Sequence, residues 1–114
     1  MQPLTLLLAP ALLAASTTGV AAQGEEMTLR LTYYHDRGIT ASGAQAGPGV
    51  AACSADLPFG TILRLPDGRR VTCQDRGLLH EPWLDVWVAT PVEGRALAGQ
   101  FGDYVNVVIE RWGH

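Results

Sequence analysis

Six short apolar runs, each cut off by turn-forming residues, limit what this chain can fold into. Residues 27–35 alternate, with Met27, Leu29, Leu31 and Tyr33 set against Thr28, Arg30, Thr32 and Tyr34, the period-two pattern of a half-buried strand. Further runs occupy residues 50–53, 61–65, 69–75, 83–88 and 104–112, lengths that suit strands. Asp36-Arg37-Gly38 breaks the first run, and Pro66-Asp67-Gly68 is a strong turn signal that folds residues 61–75 into a hairpin. Residues 91–101 place Leu97, Ala98 and Phe101 at helical intervals, with Gly102 as the stop. The expected fold is all-β with one short helix. Six strands in so short a chain suit a small closed barrel, because closure removes exposed sheet edges.

The first 22 residues read as an export signal. An apolar run over residues 4–15 is interrupted only by Thr5 and Pro10, and Val20, Ala21 and Ala22 are the small residues expected before a cleavage point. The segment before that run lacks the usual Lys or Arg. The run is too short to span a bilayer, and no cysteine lies near the cleavage point to carry a lipid. Cleavage after Ala22 leaves 92 residues, with 23–30 as linker and strand start and 31–114 as a single barrel domain. The expected location is secreted or periplasmic, in the cell envelope, with no stable membrane anchor. The net charge of −3 shows no basic stripe, which argues against nucleic acid and anionic lipid as partners.

Two cysteines, Cys53 and Cys73, make an even count in an exported chain, which points to a disulfide. It closes a loop of about 20 residues and stabilises by ~3 kcal/mol on chain-entropy grounds. The competing reading is a free nucleophilic cysteine, disfavoured because an exposed thiol outside the cell is oxidised.

Residues 71–88 concentrate the chemistry. Asp75 ends one run just before Arg76-Gly77, and Asp85 sits inside the next between Trp83 and Trp87. Alternation puts Trp83, Asp85 and Trp87 on one face and Leu84, Val86 and Val88 on the other, the natural core face. A carboxyl group flanked by indoles suits a sugar, whose C–H surface stacks on the rings while the carboxyl exchanges a proton. The alternative is that both tryptophans pack under loops and Asp85 pairs with an arginine. Residues 40–49 are small and turn-forming, either a flexible excursion or a rim that lets a polymer approach. Arg76 is placed either to bind a glycan carboxylate or to neutralise Asp75. His35, His80 and His114 with Glu81 match no metal-ligand spacing, so neither a metal nor another cofactor is expected.

Taken in order, Thr40-Ala41-Ser42-Gly43, Leu57-Pro58-Phe59-Gly60-Thr61, Asp75-Arg76-Gly77, Leu84-Asp85-Val86, Phe101-Gly102 and Val105-Asn106-Val107 resemble the double-psi β-barrel domains of cell-wall proteins. Two branches are similar: the rare lipoprotein A family, and the three-aspartate domain that includes the catalytic barrel of membrane-bound lytic transglycosylase A. The resemblance runs over residues 31–113. It implies peptidoglycan, or another wall polysaccharide, as partner to a monomer. It also implies cleavage of glycan strands without water, by an aspartic acid that protonates the glycosidic oxygen and then takes a proton from the sugar's own 6-hydroxyl. By motif position that acid is Asp85, while the rare lipoprotein A branch points to Asp75. Trp83, Trp87, Tyr34, Thr40, Ser42 and Arg76 are the candidate substrate-binding residues. Tyr33-Tyr34-His35-Asp36 is loosely similar to the base-bearing strand of wall-active endoglucanases that share the barrel, making Asp36 a candidate second carboxylate.

The departures bear on activity. The first of the family's three aspartates falls at Cys53, no histidine stands in that region, and Leu78 replaces an expected glycine. If Cys53 pairs with Cys73, a catalytic position has become a staple, which favours binding over cutting. Two alternatives to the enzyme follow: a non-catalytic, expansin-like glycan-binding module, and a stapled barrel that docks on another protein.

Overall fold

A computed structural model describes residues 24–77 and 82–114. The expected export signal, and His80 and Glu81, lie outside the described residues. The strands are β1 (Glu25–Tyr34), β2 (Val50–Cys53), β3 (Ile62–Arg64), β4 (Arg70–Asp75), β5 (Trp83–Trp87) and β6 (Tyr104–Arg111), with helix α1 (Pro91–Phe101) before the last. They close into a barrel in the order β1-β5-β2-β4-β3-β6. The β1–β5 and β2–β4 pairs run parallel, and the other four pairs antiparallel.

Alternation decides which side chains fill the barrel. Leu29 and Leu31, Leu63 and Leu65, Val71 and Cys73, Leu84 and Val86, and Val105, Val107 and Ile109 all point inward and are buried, as expected for a small barrel packed with side chains rather than solvent. Cys53 and Cys73 are bonded inside this core, Cα–Cα 5.6 Å apart, so the disulfide joins β2 to β4 where they already pair in parallel. The bond is consistent with an oxidising compartment. No helix among the described residues is long and apolar enough to cross a membrane.

The Pro66-Asp67-Gly68 turn closes the β3–β4 hairpin as expected. Leu65 N–H donates to Arg69 O at 2.8 Å and Gly68 N–H to Leu65 O at 2.9 Å, with Gly68 at φ 91°, a conformation costly for any side chain but glycine. Helix α1 starts on Thr90, whose Oγ1 accepts from Glu93 N–H at 3.2 Å, with Pro91 in the first turn and Gly102 at its end. Gly94 is buried against β1, and a Cβ there would enter the Tyr33 ring. One boundary differs from expectation. Glu25 and Glu26 are not linker but ladder residues, opposite Ile109 and Val108, with the Asn106 amide donating to Glu26 at 2.7 Å. The length of β6 extends β1, and that long-range partner has no local signal in the polar sequence.

Candidate functional site

Asp85 sits in the middle of β5, with Thr32 of β1 and Ala52 of β2 as its Cα partners on either side. The expected split of β5 holds: Leu84, Val86 and Val88 are buried in the core, and Asp85 faces the other way, half-buried. Its Oδ1 accepts a hydrogen bond from Thr32 Oγ1 at 2.8 Å. Burial pushes the Asp85 carboxyl up from the ordinary aspartate range, the Thr32 bond offsets part of this, and the charges of Asp36 and Asp75 push it further up. A carboxyl group removed from water and set among other carboxylates disfavours its own charged form.

Asp75 has a different setting. It lies where β4 leaves the barrel, and a register shift between Ala51 and Ala52 brings it opposite Ala52. Its Oδ1 accepts from Ala41 N–H at 3.0 Å and Arg76 N–H at 2.9 Å, and its Oδ2 from the Tyr34 hydroxyl at 3.3 Å. The Tyr34 hydroxyl is pushed well above its ordinary value by burial, then by the charge and hydrogen bond of Asp75, then by Asp85 and Asp36. Tyr34 is therefore a neutral donor in the midst of three carboxyl groups. The fold thus brings the charges of Asp75, Asp85 and Asp36 to bear on one phenol, which donates to Asp75.

The small-residue loop forms the rim beside Asp75. Ser42 N–H donates to Gln74 O at 3.0 Å and its hydroxyl to Gln74 Oε1 at 2.7 Å, while Thr40 is buried and its hydroxyl donates back to Ala44 O at 2.8 Å. Ser42 is exposed at the rim and Thr40 is turned inward. Trp87 is 8 % exposed, and its indole donates to Asp36 O at 2.8 Å, which holds the Asp36 segment against the end of β5. Trp83 donates to Thr32 Oγ1 at 2.8 Å, and the Arg30 guanidinium lies 4.9 Å over its ring. Both indoles build the site, and Trp87 leaves little of its ring open. Asp85 takes its hydrogen bond from a threonine, not from an arginine. Arg76 donates to Cys53 O at 2.8 Å and Ser54 O at 3.1 Å and stacks 4.3 Å over Phe59, so it ties the end of β4 to the end of β2.

Position 53 reads differently in three dimensions. Cys53 points into the core, and Ala52 is the β2 residue set between Asp75 and Asp85. β2 (Val50–Cys53) therefore brings no acid to this site. Thr32 and Ala52 carried no sequence signal. They matter only through the register that places them beside Asp85.

A cleft of about 440 Å³ lies elsewhere, between α1 and the start of β4, with Arg69, Arg70, Val86, Trp87, Glu93 and Leu97 in its walls. Its polar groups are already engaged: Arg70 with Glu110, and Glu93 Oε1 with Ala89 N–H at 3.1 Å. Of the candidate residues only Trp87 reaches it. Compared with known proteins, the chain matches no family model and no curated sequence.

Proposed function

We propose that this chain is a cell-envelope barrel of the double-psi type that acts on peptidoglycan glycan strands, with Asp85 as acid and base. The observation that carries this reading is the state of Asp85: half-buried, facing away from the core, raised by burial and by two neighbouring carboxylates, and held by the hydrogen bond from Thr32. A proton donor working near neutral pH requires such an environment. The mixed closed barrel and the order of the motifs support the double-psi assignment.

In the proposed reaction the Asp85 proton passes to the bridging glycosidic oxygen. The C1–O bond breaks, and its electron pair stays with the departing sugar. The carboxylate so formed then removes the proton of the 6-hydroxyl on the retained sugar. O6 bonds to C1, giving a 1,6-anhydro end and regenerating neutral Asp85. No water is consumed, so no second carboxylate is needed to activate one, unlike the two-carboxyl arrangement of hydrolysis.

A second reading, a glycan-binding barrel that does not cut, is favoured by the Cys53–Cys73 bond and by the methyl group of Ala52 between the two aspartates. One experiment separates them. Purified peptidoglycan is digested with the chain and with its Asp85→Asn variant, and the products are read by mass spectrometry. Anhydro-sugar products that disappear in the variant support the enzyme. No products, with both proteins sedimenting with the wall, overturn it in favour of the binding module.

A further inference from the structure

The β1–β5 pair carries a hydrogen-bond chain whose first step is fixed in direction. Trp83 Nε1–H donates to Thr32 Oγ1, and Thr32 Oγ1–H donates to Asp85 Oδ1, each at 2.8 Å. An indole N–H cannot accept a hydrogen bond, whereas a hydroxyl has one proton to give and lone pairs to receive. The Trp83 bond therefore takes up one of the two lone pairs on the Thr32 oxygen and favours the arrangement in which its proton goes to Asp85. The parallel register supports the arrangement, since Thr32 is the Cα partner of Asp85 and Trp83 stands two positions before Asp85 on the same strand face.

We propose that Thr32 is a positioning residue that keeps Asp85 Oδ1 as an acceptor and assigns the transferable proton to Oδ2, with Trp83 fixing the direction of the chain. The inference rests on the reading of Asp85 as acid and base. When Oδ2–H gives its proton to the glycosidic oxygen, negative charge develops on the carboxyl group, and the Thr32 bond becomes a bond to an ion, roughly twice as strong as a neutral one. Thr32 thus stabilises the state formed during transfer more than the state before it, which is the requirement for raising a rate. Among the described residues, the other groups around Asp85 do not compete for this role. Asp36 beyond β1 and Asp75 on β4 disfavour its charge, the Tyr34 hydroxyl is directed at Asp75, and β2 contributes Ala52.

The test compares the full chain with Thr32→Val and Thr32→Ser, reading the Asp85 carboxyl titration by carbon NMR and the pH profile of peptidoglycan cleavage. In T32V the carboxylate loses its donor, so the titration moves to higher pH and the alkaline limb of the activity profile moves with it. At the same time kcat falls by about ten- to a hundred-fold, the size expected for one hydrogen bond to a charged group, with KM changed less. T32S restores the hydroxyl, and with it both the titration and the rate. An unmoved titration in T32V, or a T32S variant that behaves like T32V, overturns the proposal. Should T32V not fold, Trp83→Phe removes the indole donor alone. An Asp85 titration unchanged by that substitution overturns the directional role of Trp83, and an upward shift supports it. A wild-type chain that makes no anhydro product, yet shows the T32V and T32S titration shifts, overturns the enzyme reading and supports the hydrogen-bond assignment.

Discussion

Two aspartates ten positions apart, on neighbouring parts of one barrel, are held in opposite ways. Asp75 stands at a strand end and receives three donors, two of them backbone N–H groups. Asp85 stands in the middle of a strand, half-buried, and among the described residues has Thr32 as its hydrogen-bond donor. A carboxylate with several donors is a structural acceptor that ties a loop and a phenol to the sheet. A carboxyl group that is buried and sparsely bonded keeps its proton more readily and can transfer it. Residue type is the same in both, so the difference lies wholly in where the chain runs past each one.

The sharpest way to break this contrast is activity. Asp85→Asn is expected to lower formation of anhydro products by at least about a hundred-fold, the lower end for loss of a general acid, whereas Asp75→Asn retains a larger share. Equal losses in the two variants, measured on purified peptidoglycan, would give Asp75 a chemical part and erase the distinction. Next in size is the staple. Cys53 and Cys73 join β2 to β4 two residues before Asp75, so replacing both by alanine is expected to destabilise by ~3 kcal/mol and to lower Tm by more than about 10 °C. Hydrogen exchange at Ala41 and Arg76, next to Asp75, should rise more than at Thr32.

A smaller effect separates the two atoms of Asp75. Its Oδ1 takes both backbone donors, and an asparagine oxygen can keep them. Asp75→Ala is therefore expected to cost about 2 kcal/mol in urea unfolding and Asp75→Asn less than about 1 kcal/mol. Equal costs would mean that charge, not the acceptor, holds the rim. The smallest effect is the pH dependence. The raised Asp85 carboxyl means that the folded chain holds a proton that the unfolded chain has lost. Its contribution is therefore full below the ordinary aspartate range and is lost as pH rises through the raised value. Glu110, held low by Arg70 and Arg64, acts with the opposite sign, its contribution being lost as pH falls. The difference between wild type and Asp85→Asn isolates the first group: the variant should be the more stable above the window, and its falling slope should be gone. A slope that survives the substitution would assign the burial effect to another residue.

Much of the barrel was legible because its causes are local. The alternation of Leu29 and Leu31, or of Val105, Val107 and Ile109, specifies a face wherever one side is buried, and the Pro66-Asp67-Gly68 turn and the Gly102 stop act within a few residues. The disulfide was legible by count. The start of β1 was not, because Glu25 and Glu26 are in the sheet only through the length of β6. The site was half legible. Asp85 stood out as a carboxyl group between two indoles and Asp75 as one just before Arg76-Gly77, whereas the bonds of Trp87 to Asp36 and of Arg76 to Cys53 and Ser54 come only with the fold.

What the sequence by itself determined is the strand inventory, the inward set of side chains and the pair of aspartates, since periodicity and turn chemistry are written in neighbouring residues. Only the tertiary structure decided that Thr32 lies opposite Asp85, that Ala52 and not Cys53 stands between the aspartates, and that Tyr34 donates to Asp75. These follow from register between strands distant in the chain. A shift of one residue would turn every one of them to the other face.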